Sequence, residues 1–326
     1  MRDHSALRAL ALCCALLASP AGAYEPPLGE PADAGPPGDR VAAPDPLRFD
    51  PPHAPAAVFA LMEDLRSGDP DAQIAAALAL RELGELAFPA LSLLEERLAH
   101  PSMGVRKAAA GALGGMGPAA EAAAPALARR LEDPHPFVRS WAAMALYEIG
   151  PGARAAAAAL IALLGRDADN LRGRAWCAAA LPRIGAPVEL AVPALVRALA
   201  SDPSEEVRSV AVLSLEAYGH EAAAHGALPA LLETLADPHW KVRGNAACAL
   251  AELVSPRDPA ADTLVSPLAA LLRDWSGYVR GCALRSLGNL GEPARRVRPD
   301  LEALLDDEDP HVRGQARDAL STLGPP

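Results

Sequence analysis

The sequence predicts an all-α fold, an α-solenoid of about eight helical hairpins, on two observations. The first is a motif that occurs six times, in which an arginine directly follows a valine and a leucine comes seven residues after the arginine. In five of the six copies a glycine comes eleven residues after the arginine. The arginines of the motif are Arg106, Arg139, Arg208, Arg243, Arg280 and Arg313. Arg174 and Gln73 occupy the same place in two further copies, and a period of this length is typical of a solenoid. The second is composition, with 51% hydrophobic but only 4% aromatic residues, as expected of many close-packed helices.

Each copy of the motif follows the same order of elements. An Asp-Pro turn opens it, as at Asp133-Pro134, and we expect the aspartate to cap the helix that follows. Counted from the arginine, the first helix carries valine at −1, a small residue at +3 and leucine at +7, spacings that place all three on one face. The glycine at +11 is predicted to end this helix in a left-handed cap. A second helix is predicted to begin near a further proline, at Pro89, Pro125, Pro193, Pro229, Pro267 and Pro299.

Two repeats depart from this order. Pro182 lies near the end of the first helix of repeat four, where the missing backbone donor should bend or shorten the helix. Repeat six has Val254 in place of the glycine and an insertion, Ser255 to Asp262. Insertions in repeat arrays map to one edge and sometimes carry function, although a tolerated surface loop is the simpler interpretation.

Residues 1–23 are predicted to be a signal peptide, which indicates an exported protein of the periplasm or the cell exterior. Arg2 and Arg8 give a basic start, the run from Ala9 to Ala18 is apolar, and Ala21-Gly22-Ala23 fits a cleavage site. The apolar run is shorter than the roughly 20 residues that span a bilayer, so we expect no transmembrane span.

Residues 24–55 are predicted to be a Pro-rich disordered linker, and residues 56–326 the solenoid. The linker holds ten prolines and little periodic apolar sequence, too little to offset the entropy of ordering it. From residue 56 a helical apolar stripe appears, formed by Val58, Leu61, Met62 and Leu65. We expect this lone helix to be a half-repeat that caps the array, because repeat arrays need atypical ends.

Charge and cysteine content narrow the partners and the redox chemistry. The formal net charge is −11, and an acidic surface repels phosphates, so nucleic acid is not an expected partner. Beyond the predicted signal peptide, cysteines occur at 177, 248 and 282, all in first helices. An odd number at apolar positions favours buried thiols. A Cys248–Cys282 bridge between neighbouring repeats is the alternative, and it depends on strict geometry.

The repeated motif resembles the HEAT repeat, in the compact bacterial form also found in bilin-lyase-like HEAT proteins. The resemblance rests on the run from Asp133 to Gly150 and on second helices beginning Pro-Ala-Leu, and it covers about residues 56 to 324. It implies a right-handed α-solenoid. It says less about function, because HEAT arrays serve many roles. The signatures of tetratricopeptide and ankyrin repeats, which have a similar period, are missing.

The arginine column is interpreted as structural. In HEAT-like arrays such arginines are expected to pair with turn aspartates of the same or the neighbouring repeat. Four aspartates precede the arginine by six residues, in the pairs Asp133/Arg139, Asp202/Arg208, Asp237/Arg243 and Asp274/Arg280. Regular charge patterning of this kind is typical of a structural ladder.

No catalytic, metal-binding or cofactor-binding residues are predicted. The turn histidines His135, His239 and His311 belong to repeats three, six and eight, and helices that pack about 8–10 Å apart would hold them too far from one another to share a metal ion. His220-Glu221 is a single pair, whereas deoxyhypusine hydroxylase, a HEAT enzyme, uses several such pairs around two irons. His220 directly follows Gly219 and is more simply a turn residue.

Eight residues are candidates for binding a partner. Aromatic residues at the entry to first helices can anchor a partner, although stapling the start of its own helix is the simpler interpretation of each ring; they are Phe137, Trp240, Trp275 and Tyr278. Second helices contribute outward charges of mixed sign at Arg129, Arg197, Glu233 and Arg273. Trp141 and Trp176 share position +2 in adjacent repeats and are expected to flank the core, where they could form an aromatic patch.

The function predicted from these features is a non-enzymatic scaffold of the cell envelope or exterior. A preformed concave surface would bind a protein or peptide partner at low ordering cost. One alternative is an enzyme or enzyme subunit of the bilin-lyase or deoxyhypusine-hydroxylase type, and another is a structural spacer. Export argues against the bilin-lyase activity, since those enzymes act on cytoplasmic pigment proteins.

Overall fold

The fold is an array of paired helices, as the sequence predicts. The computed structural model describes residues 54–167 and 169–324, so the predicted signal peptide and the predicted linker up to residue 53 lie outside the described residues. The first helices are Pro70–Glu82, Met103–Gly115, Pro136–Ile149, Leu171–Arg183, Glu205–Tyr218, Trp240–Leu253, Gly277–Leu290 and Pro310–Leu323. The described part contains α-helices and 3-10 turns and no strand, which confirms the all-α class.

The second helices alternate with the first ones along the chain, and most of them are shorter. They span Ala54–Arg66, Leu91–Arg97, Ala124–Arg130, Ala157–Arg166, Val188–Ser201, Ala227–Thr234, Ala261–Ala270 and Arg298–Ala303. The array therefore opens on a lone second helix, which begins at Ala54, two residues before the predicted start. At the other end, repeat eight contributes only its first helix to the described residues, so seven of its eight first helices have a second helix after them.

One continuous apolar core runs through the array. The valine at −1, the small residue at +3 and the leucine at +7 are fully buried in repeat after repeat, as Val138, Ala142 and Leu146 show. Burying one leucine contributes roughly 2–3 kcal/mol. Small residues let neighbouring first helices approach closely: a Cβ atom added to Gly114 would lie 2.9 Å from the Cα atom of Ala145 in the next repeat.

The glycines at +11 end the first helices, but not in the left-handed α conformation that the sequence suggests. Gly150 has φ 73° and ψ −138°, and Gly219 has φ 57° and ψ −136°. These angles mirror those of an extended chain, a region that glycine alone adopts readily because it lacks a Cβ atom. The chain therefore turns sharply and enters a 3-10 turn, such as Gly150–Ala156, before the second helix begins.

The proline rule for second helices holds in some repeats only. Pro125 and Pro299 lie in the first turn of their helices. Pro193 lies inside the helix Val188–Ser201, and Pro267 lies inside Ala261–Ala270, so these helices begin well before the proline. A proline at these depths lacks a donor that the helix would otherwise use.

Pro182 does not shorten its helix. The helix Leu171–Arg183 has 13 residues, the same length as Pro70–Glu82 in repeat one. Proline cannot donate to the carbonyl oxygen four residues before it, which is that of Ala178. The buried hydroxyl group of Ser214, on the first helix of the next repeat, donates to this oxygen over 2.9 Å. A neighbouring repeat thus supplies the hydrogen bond that the helix cannot make.

Repeat six ends its first helix without glycine. The helix stops at Leu253, and Val254 continues in extended conformation with φ −120° and ψ 122°. The inserted residues then form an exposed loop up to the next helix, which begins at Ala261. The longer connection replaces the sharp glycine turn of the other repeats.

Candidate functional site

All eight candidate residues lie on one edge of the array, which we call the turn edge. This edge consists of the starts of the first helices, the ends of the second helices and the Asp-Pro turns between them. Phe137, Trp240, Trp275 and Tyr278 lie at or just before the start of a first helix, and Arg129, Arg197, Glu233 and Arg273 lie near the end of a second helix. The structure brings some of them into contact and leaves others repeats apart.

The arginine column forms a ladder along the turn edge. Each arginine side chain reaches the aspartate that opens the next repeat, with N–O distances of 2.6 to 2.8 Å, in the pairs Arg106–Asp133, Arg139–Asp167, Arg174–Asp202, Arg208–Asp237, Arg243–Asp274 and Arg280–Asp307. Two nitrogens of the guanidinium group take part in the pair: Arg106 Nε and Nη2 donate to the two carboxylate oxygens of Asp133. Such bidentate pairs fix geometry strongly.

The sequence left open whether each arginine pairs within its own repeat or with the neighbouring one, and the structure shows side-chain pairing with the neighbouring repeat. Arg139 Nη1 donates to the backbone carbonyl oxygen of Asp133, its own turn aspartate, over 2.8 Å. The carboxylate of Asp133 belongs to Arg106 of the preceding repeat. Each of the six ladder aspartates therefore bonds to two arginines, one through its carboxylate and one through its backbone carbonyl group.

The turn aspartates also shape the start of the next helix. Asp133 Oδ1 accepts a hydrogen bond from the backbone N–H of His135, two residues later, and His135 is the N-cap residue. At Asp69 and Asp309 the aspartate itself is the N-cap residue of the helix that follows, as the sequence predicts. In the interior repeats the carboxylate instead tightens the turn, because the ladder has already fixed its position.

Ionisation of the ladder favours the folded state. Burial alone would raise the pKa of Asp133, but hydrogen bonds from Arg106 and from the His135 backbone outweigh it and hold that pKa below its ordinary value. The pKa of Asp307 is lowered in the same way beside Arg280. A folded state that lowers a carboxyl pKa is stabilised above that pKa and loses the stabilisation as acid protonates the group.

Trp240 and Tyr278 form an aromatic pair between repeats six and seven. Their ring centroids lie 5.5 Å apart at 80°, an edge-to-face arrangement. The Tyr278 hydroxyl group donates to Asn245 Oδ1 over 2.7 Å, and Asn245 Nδ2 donates to Ser209 Oγ over 2.7 Å. A chain of contacts therefore links repeats five, six and seven.

Gly244 makes room for this pair. A Cβ atom at Gly244 would overlap the ring of Tyr278, so a larger residue there would displace the tyrosine. Sequence reasoning missed Gly244 and Asn245. A glycine inside a helical pattern was the available signal, because its low helix propensity often reflects a close approach.

Trp275 is the most exposed of the large apolar side chains that the structure describes, at 73%. Its ring lies 6.0 Å from the guanidinium carbon of Arg243, whose nitrogens hold Asp274. The ring thus lies beside one rung of the ladder and is largely exposed to solvent.

Phe137 lies three repeats away from the Trp240–Tyr278 pair. It is 54% exposed and packs against His135, with ring centroids 5.4 Å apart. Trp141 and Trp176 have separate neighbours: Arg81 lies over the Trp141 ring at 4.6 Å, and Trp176 contacts Tyr147 at 5.4 Å. The predicted joint patch of these two tryptophans is replaced by two contacts, each with a different partner.

Two of the four charged candidates, Arg197 and Glu233, line shallow grooves between successive second helices. Arg197 lines a groove of about 290 Å³ together with Arg166 and Arg174, and Glu233 lines a groove of about 360 Å³ in the next repeat. Arg129 is exposed. Arg273 is 85% exposed in its side chain and donates to Asp300 over 3.3 Å. The two grooves lie in successive repeats on the turn edge.

Glu216 is a titratable group on the outward side of the first helices, beside the aromatic pair. Burial and the nearby Glu252 raise its pKa to about 7, against a smaller opposing effect of Arg285. No group of three or more histidine, cysteine, aspartate or glutamate residues is placed to hold a metal ion within residues 54–167 and 169–324. His220 Nδ1 lies 2.7 Å from the Leu253 carbonyl oxygen and ties its turn to repeat six.

The cysteines correct the buried-thiol interpretation for two of the three. Cys248 and Cys282 form a disulfide between repeats six and seven, with Cα atoms 5.2 Å apart, within the range of native disulfides. Cys177 is a buried free thiol, as predicted, and burial raises its pKa.

One stretch of the described residues, Pro136–Arg166, is long and apolar enough to cross a membrane by length and composition. It comprises the first helix, the 3-10 turn and the second helix of repeat three, and its backbone leaves the helical region at Gly150. Both helices contribute buried side chains to the core of the array.

Comparisons with known proteins agree with the repeat architecture. The family model for HEAT repeats matches residues 91–182, 192–266 and 265–326, more than half of the chain. A search of curated protein sequences finds no match. Three engineered proteins with crystal structures are similar to this chain. The first is 24% identical, with a TM-score of 0.60 over 82% of this chain and 78% of its own.

The other two engineered proteins align less well in space. One is 24% identical over 72% of this chain and 98% of its own, with a TM-score of 0.44, and the other is 21% identical over 82% and 96%, with a TM-score of 0.35. At these identities the similarity concerns the fold alone, and the helical array agrees with the first of them. With its paired helices, its arginine ladder and the matched family model, the chain belongs to the HEAT-repeat family.

Proposed function

We propose that this protein is a non-enzymatic scaffold that binds a partner protein or peptide along the turn edge. HEAT arrays are widely used for protein interaction, which gives the proposal its starting point. The observation that carries it is the division of roles along the edge. The six buried arginine–aspartate pairs are committed to holding the repeats together, whereas the ring of Trp275 projects into solvent beside them.

The chemistry of the edge suits a peptide or an extended segment of a protein. Tryptophan, tyrosine and arginine are the side chains most often found at energetic centres of protein interfaces. The turn edge offers Trp275 and Tyr278, three residues apart in sequence, and Arg197 and Glu233 each line a groove there. The ladder fixes the backbone beneath them, so binding would require little ordering of the array.

We further propose that the protein acts outside the cytoplasm, in the envelope or the exterior. The predicted signal peptide at residues 1–23 is one support. The Cys248–Cys282 disulfide is a second, independent support, because disulfides persist in oxidising compartments. The two supports come from opposite ends of the chain and from different physical arguments.

The test is capture followed by measured affinity. Tagged mature protein would be crosslinked in intact cells, a recovered partner purified, and its Kd measured against wild type, Trp275→Ala and Phe88→Ala. Phe88 is a matched control, since it is exposed but belongs to the 3-10 turn Gly84–Ala90 at the opposite edge. We expect about a tenfold or greater loss for Trp275→Ala and none for Phe88→Ala. Equal loss in both, or loss in Phe88→Ala alone, contradicts the turn edge.

A further inference from the structure

The disulfide between repeats six and seven lies where it can be reached by solvent. Cys248 and Cys282 occupy the first helices of successive repeats. Cys282 is buried, at 5% exposure, whereas Cys248 is only partly buried. An attacking thiol therefore has access to one sulfur of the pair and little access to the other.

A positive charge touches both sulfur atoms. Arg285 lies one helical turn after Cys282, and its Nη2 atom donates to Cys248 Sγ and lies 3.9 Å from Cys282 Sγ. A disulfide carries no charge and gains little from a guanidinium group. A thiolate gains much, since nearby cations favour the ionised form of cysteine. The arrangement stabilises the products of reduction more than the disulfide itself.

We propose that Cys248–Cys282 is an exchangeable disulfide, a thiol–disulfide exchange site at which Cys248 is attacked by a thiol donor and Arg285 stabilises the thiolates that leave, first that of Cys282 and then that of Cys248. Arg285 is a positioning and charge-stabilising residue here. The site is separate from the turn edge and does not depend on a partner binding there.

In this exchange the thiol donor is the reductant and supplies the two electrons that the disulfide takes up. The donor thiolate attacks Cys248 Sγ, a new S–S bond forms, the Cys248–Cys282 bond breaks, and its electron pair leaves on Cys282. A second donor thiolate attacks the donor sulfur of this mixed disulfide and releases Cys248 as a thiolate. The donor departs as its own disulfide, two electrons pass to the protein, and both cysteine sulfurs take up protons from solvent.

Reduction would break the covalent bond between the two helices that carry Trp240 and Tyr278. Tyr278 lies four residues before Cys282, one turn earlier on the same side of the helix, and Asn245 lies three residues before Cys248. The Tyr278–Asn245 hydrogen bond and the disulfide therefore hold the same two helices at neighbouring turns. Reduction removes the covalent link, while the Tyr278–Asn245 hydrogen bond, the Trp240–Tyr278 ring contact and the buried bond from Ser286 Oγ to the Ala247 carbonyl oxygen remain.

The test measures reduction of the folded protein. Mature protein carrying Cys177→Ala, which removes the free thiol, would be exposed to reduced glutathione, quenched by acid and mapped by mass spectrometry, while circular dichroism reports folding. We expect two thiols to appear with no loss of helix signal and the transient glutathione adduct to map to Cys248. Arg285→Gln should slow reduction by about three- to tenfold, with Arg285→Lys restoring most of the rate.

Arg317→Gln is the matched control, because Arg317 is an exposed arginine on the first helix of repeat eight. Its rate should equal that of the parent. Several outcomes overturn the proposal: two free thiols in the protein as isolated from an oxidising medium, reduction only when the helix signal is lost, an adduct on Cys282, or an unchanged rate in Arg285→Gln.

Discussion

Arg174 and Asp202, in repeats four and five, form a bidentate pair in which Arg174 Nε donates to Asp202 Oδ2 over 2.6 Å and both side chains are almost fully buried. Arg174 Nη1 also donates to the backbone carbonyl oxygen of Asp167 over 2.7 Å. Burying two charges is costly, and only such dense bonding offsets the cost. This repeat lacks the valine before its arginine, yet the ladder continues through it unchanged.

Removing one partner of this pair should therefore be strongly destabilising. We expect Arg174→Ala to lower the free energy of unfolding by about 3–5 kcal/mol, because the Asp202 carboxylate would stay buried without its partner. Urea denaturation followed by circular dichroism measures the change. Arg273→Ala, which removes the exposed pair with Asp300, should cost about 0–1 kcal/mol. Similar losses in the two variants would contradict a buried, structural ladder.

Ser214→Ala should cost more than an ordinary lost hydrogen bond. The Ala178 carbonyl oxygen has no helical donor because residue 182 is proline, so removing the Ser214 hydroxyl group leaves it buried and unsatisfied, at a cost of about 1–3 kcal/mol. In a Pro182→Ala background the helix regains its own donor. The cost of Ser214→Ala measured by urea denaturation should then shrink. A cost that is the same in both backgrounds would disprove this coupling.

Gly219→Ala isolates the cost of the backbone turn. An added Cβ atom at Gly219 would meet no atom within 4 Å, so no clash contributes, and the penalty comes from φ 57° and ψ −136° alone. We expect a loss of about 1–3 kcal/mol in the free energy of unfolding. Gly68→Ala is the control, because an added Cβ atom there would also meet no atom within 4 Å and Gly68 does not have a positive φ. Equal effects at the two positions would refute the conformational argument.

Glu216 should make stability depend on pH near neutrality. The folded protein keeps its proton up to about pH 7, whereas an ordinary glutamic acid releases it near 4.5. Stability therefore falls as the pH rises from about 4.5 to 7, because the folded state binds more protons there. Glu216→Gln should remove this dependence and stabilise the protein by roughly 1–3 kcal/mol at pH 8, with little effect near pH 4.5. Thermal unfolding of this variant and of Glu233→Gln across pH 4–8 tests the difference.

The repeat positions were accessible from sequence because they follow from spacing alone. A valine, a small residue and a leucine four residues apart must share one helix face, as Val138, Ala142 and Leu146 do. The glycine ends were found for a similar reason, although their ψ values differ from the expected cap. For each arginine, the sequence predicted an aspartate partner in the same or the neighbouring repeat but did not decide between them. A constant offset along the chain does not show which of the two aspartates lies closer in space.

The surroundings of the candidate residues were less accessible, because they depend on pairs of residues in different repeats. Tyr278 reaches Asn245 and Gly244 only because helices 34 residues apart in sequence stack in one register. Cys248 and Cys282 occupy different positions in their repeats, +5 and +2, so the repeat frame did not align them. To predict a contact across a repeat boundary, one must know how the helices pack. The buried positions within a repeat can be predicted from their spacing alone.

The shared aspartates of the ladder set the unit in which this array can be shortened or extended. Asp167 belongs by sequence to the turn that precedes repeat four, yet its carboxylate completes repeat three through Arg139. A cut at a sequence-defined boundary would separate a guanidinium group from its carboxylate. A shortened array should therefore run through the turn aspartate that follows its last arginine, so that the last rung keeps both partners.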